Sequence, residues 1–296
     1  QKMDAGYLQW NTRQMEIRQS FSMRMLDPEQ LLELRVKGKC KCTFKIPEWA
    51  FDMQYPGHYC RRIASVQITI PCVTGPYTNV AVSLALTKGS LRKEGNTNEY
   101  KNNPIAAGFP FQGSKMIATS SANNDGGQFE LNFRDERYLP FEGAGAVDSE
   151  WVLELPGQFR SFDYDTISDV IFHLSYRSKY GDEVLFRTTV ESGLTTKVGP
   201  LKRLVSLKEE FPDAWFQLES GAADTTIRLT KKHFPFFVQS GSGAFQIGNA
   251  TPYGANGPMK NSIQPTVDGD FTITAAHKNG KGDDVWLLVE YFVNAS

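Results

Sequence analysis

The chain has 296 residues, of which 40% are hydrophobic and 12% aromatic, with 25 Gly and 15 Pro; this balance excludes a disordered or fibrous protein and is ample for a buried core. Its 32 basic and 33 acidic side chains leave a formal net charge of -1, so no global field draws it onto nucleic acid or anionic lipid. The apolar stretches Ile63 to Val73 and Val285 to Val293 are interrupted and far shorter than the roughly 20 residues a spanning helix needs, so no transmembrane segment is expected.

Gln1-Lys2-Met3-Asp4 lacks the apolar core of a signal peptide and reads as the start of a piece of a longer chain. Tyr7, Leu8, Trp10, Met15, Ile17, Phe21 and Met25 have loosely helical spacing and predict a helix with one apolar stripe. Asp27-Pro28 is a helix start, since Asp caps free amides and Pro fits the first turn, and the helix should run to Val36 before Gly38. Residues 1–38 are therefore expected to be helical and residues 39–296 to be β-rich.

After Gly38 the apolar period shortens towards two, as in Ile63, Val66, Ile68 and Ile70. Further strands are predicted at 80–87, 115–119, 128–132, 150–155, 170–176, 201–207, 226–229, 244–247, 271–275 and 285–293. Turn signals such as Asn123-Asn124-Asp125-Gly126-Gly127 and Ser240-Gly241-Ser242-Gly243 separate them, the pattern of an antiparallel sandwich or barrel. Lys88 to Pro104 reads as a solvated loop, and Asp182–Ser192 and Pro212–Leu218 as short helices. Leu194 to Pro200 is the expected boundary between two β subdomains.

Little in the chain points to catalysis. There is no GxSxG elbow, and His58, His173, His233 and His277 are scattered. Cys40, Cys42, Cys60 and Cys72 match neither a zinc knuckle nor a redox pair; buried free thiols are the preferred reading for Cys60 and Cys72, with one or two disulfides open if the protein is exported. Asp163, Asp165 and Asp169 alternate as calcium ligands do, yet the loop lacks the Gly and distal Glu of an EF-hand, and a tight turn before Val170 is preferred to a weak surface cation. Arg134-Asp135-Glu136-Arg137 reads as a corner locked by ion pairs, because flanking arginines hold both acids ionised. Glu142-Gly143-Ala144-Gly145-Ala146 reads as close backbone packing rather than a phosphate cradle. No cofactor or metal is called for.

Several strings in order resemble one family: Leu26-Asp27-Pro28, Ile46-Pro47-Glu48-Trp49, Pro56-Gly57-His58-Tyr59, Arg61-Arg62-Ile63, Ile70-Pro71-Cys72-Val73-Thr74-Gly75-Pro76-Tyr77-Thr78, Arg134 to Ala146, Phe162 to Val170, Phe211-Pro212 with Trp215, and His233-Phe234-Pro235. They resemble the C-terminal TcB-binding region of Tc toxin A subunits. The resemblance implies a secreted, homopentameric A subunit whose end grips the β-propeller of a TcB–TcC cocoon, a docking module that is not an enzyme, with residues 1–38 as the tail of its channel-forming helices. No family string is recognised in Lys88–Pro104 or Gly241–Asp270. Interface energy concentrates in a few large anchors, and Trp215, Phe234 and Phe236 are the expected ones. A sugar-binding β-sandwich, stacking exposed aromatics on a glycan, is the alternative.

Overall fold

The computed structural model describes residues 14–35, 40–75, 78–93, 95, 141–157, 160–181, 200–235, 238–239, 244–254, 257–259, 261–266, 269–278, 280 and 282–294, together with the backbone of 106–107, 116–121 and 128–129. The chain is mainly antiparallel β. Strand β2 (Lys41–Ile46) shows why: Cys42, Phe44 and Ile46 are buried while Lys41, Thr43 and Lys45 face water, the two-residue period of a half-buried strand.

The first unit is a sandwich of two sheets. One contains β1 (Met15–Ser22), β9 (Ile171–Tyr180), β3 (His58–Thr69) and β7 (Gln128–Phe129) in that order. The other contains β2, β8 (Val147–Glu154), β4 (Asn79–Leu91) and β5 (Ala106–Ala107), with β6 (Met116–Ser121) also paired to β4. Their inner faces meet where the Phe172 ring lies 4.7 Å from Trp151 and 5.6 Å from Phe44. Helix α3 (Glu48–Asp52) adds Phe51 to this core, edge-on to Phe21 and Tyr176.

Two helices follow β1: the single turn α1 (Met23–Leu26) and α2 (Pro28–Arg35). The second matches the expected helix from Pro28, with Leu31, Leu32 and Leu34 buried. The helix expected over Tyr7–Met25 is corrected: residues 15–22 form a strand, paired in register with β9 from Met15↔Ser178 to Ser22↔Ile171. Ile17, Gln19 and Phe21 all point inward, and Gln19 is tolerated there because its Nε2 donates to the Ala50 carbonyl and its Oε1 accepts from the Tyr176 hydroxyl, each at 3.0 Å. Residues 7–13 lie outside the described residues.

The second unit has its own buried cluster. It is built from β10 (Leu201–Ser206), β15 (Trp286–Asn294), β12 (Ala244–Gly254) and β13 (Gly257–Pro258) in one sheet, and β11 (Asp224–Arg228) paired with β14 (Asp270–Thr274) in another. Helices α4 (Leu207–Glu210) and α5 (Pro212–Glu219) lie between β10 and β11, the latter where a helix was predicted. Residues 182–199 lie outside the described residues, so the helix expected at Asp182–Ser192 and all but Pro200 of the expected boundary fall there.

The two units meet along α1 and α2. Arg24 donates to Glu209 at 3.1 Å and to Glu210 at 2.9 Å, Lys202 reaches Glu29 at 2.6 Å, and the guanidinium groups of Arg24 and Arg35 lie 5.4 Å and 4.2 Å from the Trp286 ring centroid. Leu204 and Trp286 belong to the first unit's core cluster, whereas their neighbours Val205 and Leu287 belong to the second. Alternation along β10 and β15 thus lets one sheet serve two cores.

Candidate functional site

Of the predicted anchors Trp215 and Phe234 are described, and they are not both on the surface. Phe234 is buried at 2% exposure, its ring 4.8 Å from both Phe245 and Tyr291; it is a core residue, and the surface role expected of it is corrected on that ground. Phe236 lies outside the described residues. Trp215 is half-buried on α5, where its Nε1 donates to the Asp283 carbonyl at 3.1 Å and the Lys208 ammonium sits 4.9 Å from its ring. The neighbouring Phe216, which sequence reasoning passed over, is 66% exposed. On an eight-residue helix whose Ala214 and Leu218 are buried, the residue midway between them points outward, and that spacing was the available signal.

Other exposed apolar side chains gather at one end of the β1–β9–β3 sheet. Tyr55 and Tyr180 are 37% and 38% exposed, and Met15 is 50% exposed. His58 stands between the two tyrosines, edge-on to Tyr55 at 6.2 Å and 88° and to Tyr180 at 5.0 Å and 60°. Its Nδ1 lies 3.0 Å from the Ser178 hydroxyl. Burial, and then the nearby Arg61 charge, press its pKa down to about 4, so the ring is neutral at physiological pH. Rings that meet edge-on present no coplanar platform of the kind that stacks on a sugar face.

The remaining polar groups are engaged in holding the fold. His173 bridges three strands, Nδ1 2.7 Å from the Ser20 hydroxyl and Nε2 2.9 Å from that of Thr69. A serine beside an imidazole is half of a nucleophilic pair, but here the second nitrogen meets a hydroxyl instead of an orienting carboxylate, and burial lowers the pKa of the ring. Asp163 accepts from the Asp165 amide at 3.2 Å, closing a turn, while Asp169 accepts from the Ser22 hydroxyl and from the amides of Arg24 and Val170. These carboxylates are therefore spent on local hydrogen bonds, and among the described residues no His, Cys, Asp and Glu cluster holds metal-ligand geometry. The four cysteines are free thiols, and burial pushes the Cys42 thiol up to about 12.

Within the Gly143–Ala146 stretch Gly145 answers to backbone packing, since a Cβ on it would come within 2.2 Å of the Ser90 carbonyl, and one on Gly89 across from it within 2.5 Å of the Gly145 carbonyl, whereas Gly143 sits in open space at φ 81°. The loop expected from Lys88 is corrected in its first part. β4 continues to Leu91, and Arg92, 7% exposed, pairs with Glu48 at 2.6 and 2.7 Å. The Arg134–Tyr138 corner and residues 96–104 lie outside the described residues.

Comparison with known proteins adds the following. Residues 1–178 match the model of the Tc toxin complex TcA C-terminal TcB-binding domain, a stretch that ends within β9 and leaves the second unit beyond it. Toxin subunit YenA2 of Yersinia entomophaga is 34% identical over 190 residues, which are 61% of this chain and 14% of that relative; the chain thus spans a small part of its relative's length. Among solved structures, TcaA-TcaB of Yersinia pseudotuberculosis (22% identity, TM-score 0.38, 60% of this chain and 10% of that one) and TcdA4 of Morganella morganii (19%, 0.38, 60% and 8%) are similar to it only loosely. No helix among the described residues is long and apolar enough to cross a membrane.

Proposed function

This chain belongs to the TcA C-terminal TcB-binding domain family of Tc toxin complexes, and from that premise we propose that it is the docking end of a secreted A-type toxin subunit, which grips TcB without chemistry of its own. The observation that carries the reading is the extent of the family match, which takes in all nine described strands of the first sandwich almost to the end of β9. The engagement of His173, Asp163 and Asp169 in structural hydrogen bonds supports a binding role over a catalytic one.

In the complete protein the module acts as one of five copies, facing the β-propeller of a TcB–TcC cocoon and coupling it to a translocation channel. A gate there opens only by the difference in affinity between its two states, so docking is itself the mechanism. Of the anchors named from sequence, Trp215 stays as a contact of the second unit, now with Phe216 beside it.

Capture of TcB by the full-length protein, compared with a version lacking residues 39–296, tests the reading. Loss of capture is expected on deletion; undiminished capture would move docking elsewhere in the protein and reopen glycan binding for this chain.

A further inference from the structure

Between β3 and β9 the register passes from Tyr59↔Lys179 to Arg62↔Arg177, so that Cys60 and Arg61 together stand opposite Ser178. Two residues facing one make a β-bulge, and Cys60 takes its left-handed position at φ 55°, a place that glycine ordinarily fills. The extra residue shifts the alternation of the strand by one. Without it Arg61 would share a face with Tyr59 and Lys179; with it Arg61 turns inward and is fully buried, and Arg62 is exposed.

Inside, Arg61 Nη2 donates to Asp52 at 2.6 Å, at the end of α3, and to the Tyr55 carbonyl at 3.1 Å. The Tyr55 amide donates in turn to the Phe51 carbonyl at 3.0 Å, and Gly57, at φ 84°, closes the connection to β3. The backbone of Tyr55 is therefore held on both sides while its ring stands exposed. A left-handed cysteine costs free energy, and a buried ion pair adds little that apolar residues of the same volume would not supply. Neither is what a stable interior by itself selects, and what the two achieve is local: a fixed place for Tyr55.

The face of the sheet that Tyr55 borders also carries His58, with Tyr180 directly across from it, and Met15, directly across from Ser178. Alternation sends Arg62, Arg177 and Lys179 to the opposite face. Arg61 is sealed beneath and His58 is neutral, so these four side chains present an apolar surface without charge. Phe216, the most exposed aromatic among the described residues, lies beyond the family match, whereas Met15, Tyr55 and His58 lie within it and Tyr180 two residues past its end. The matched domain is the one named for binding TcB, and that names the occupant.

We propose that Met15, Tyr55, His58 and Tyr180 form the face that meets an uncharged, apolar surface of TcB, and that Arg61 is the positioning residue that holds Tyr55 for it. The inference rests on the docking reading and deepens it. A ring fixed before contact loses little freedom on binding, and aromatic anchors of this kind are where interface energy concentrates. Contact between uncharged surfaces is little affected by salt.

The test is TcB affinity, at low and high ionic strength, of the full-length protein and of its Tyr55→Ala, Met15→Glu and Arg61→Met/Asp52→Asn variants. Tyr55→Ala should weaken binding by about tenfold at either salt concentration, and Met15→Glu, which sets a charge in the face and carries the test should Tyr55→Ala fail to fold, should do likewise. The Arg61 pair, which removes the guanidinium without stranding a buried charge, should weaken binding by about threefold or more and should add no further loss when combined with Tyr55→Ala. Parental affinity in both surface variants, or a Tyr55→Ala loss that vanishes at high salt, overturns the proposed face while leaving the docking reading intact. An Arg61 effect that adds in full to that of Tyr55→Ala overturns the positioning role. Variants that change self-assembly but not TcB affinity would give this face to a contact between copies, which also overturns the proposal. A parent protein that does not bind TcB at all sinks the docking reading and this inference together.

Discussion

The two units of this chain solve the same problem with different means. The first keeps charge inside: Arg61, fully buried, donates to Asp52 at 2.6 Å, and Glu48 and Arg92 pair at 11% and 8% exposure. The second has an apolar interior around Phe234, Tyr291 and Phe271, with its own pairs nearer the rim: Lys278 and Glu219 at 17% and 12% exposure, Arg228 and Asp270 at 68% and 28%. Between them Glu210 holds Arg24 through one carboxylate oxygen and Arg203 through the other. Buried ion pairs stabilise little in net terms but are costly to break, so the first unit is a frame that tolerates few rearrangements. The second unit, outside the family match, is attached to that frame through a charged seam, and its surface is freer to differ.

The largest effect should follow from emptying the frame. Trp151 is fully buried, 5.1 Å from Phe141 and 4.7 Å from Phe172, with its Nε1 donating to Ser149. Trp151→Ala should cost about 3–5 kcal/mol, read as a lower denaturation midpoint, and should release the second unit as well, because the frame holds α1 and α2 in place. A variant whose second unit melts unchanged would show that the units are independent.

A smaller and more selective loss is expected at the seam. Trp286→Ala removes a ring on which two guanidinium groups rest and should split one unfolding transition into two, at a cost of about 3 kcal/mol. Glu210→Gln takes the charged acceptor from Arg203 and leaves Arg24 with Glu209 alone; it should cost about 1–2 kcal/mol, with little effect on the melting of the first unit. A single unsplit transition in the Trp286 variant would place the coupling elsewhere, with Lys202 and Glu29 as the next pair to break.

The comparison also explains what could be read from the amino-acid order. Strands such as β4, β8 and β9 declare themselves because apolar residues alternate, β15 because its apolar run is continuous and buried on both faces, and α2 because Asp27-Pro28 marks its start. β1 hides because Gln19 occupies an inward position, held by the Ala50 carbonyl and the Tyr176 hydroxyl, partners that lie far along the chain. Phe234 misleads for a related reason: an aromatic beside Pro235 reads alike whether it fills a core or meets a partner, and only the rings of Phe245 and Tyr291 decide it.

The smallest predicted effect separates the units by pH. Below about 6.5 an unfolded histidine takes up a proton, whereas His58 in the folded chain stays neutral until about 4, because burial first and the Arg61 charge second disfavour its cation. Between those values the unfolded state binds more protons, so stability falls as pH drops through that window. His58→Gln keeps a polar group against Ser178 that does not titrate, and it should make the thermal midpoint of the first unit fall less steeply from pH 6.5 to 4. The second unit has a histidine of its own, His277, whose Nδ1 accepts from the Thr274 amide at 3.0 Å and whose pKa burial lowers; its acid response should persist in that variant. If the first unit softens in acid just as before, the response belongs to His173, whose cation burial also disfavours and which on protonation would donate to both hydroxyls it bridges, turning round the one that now donates to it.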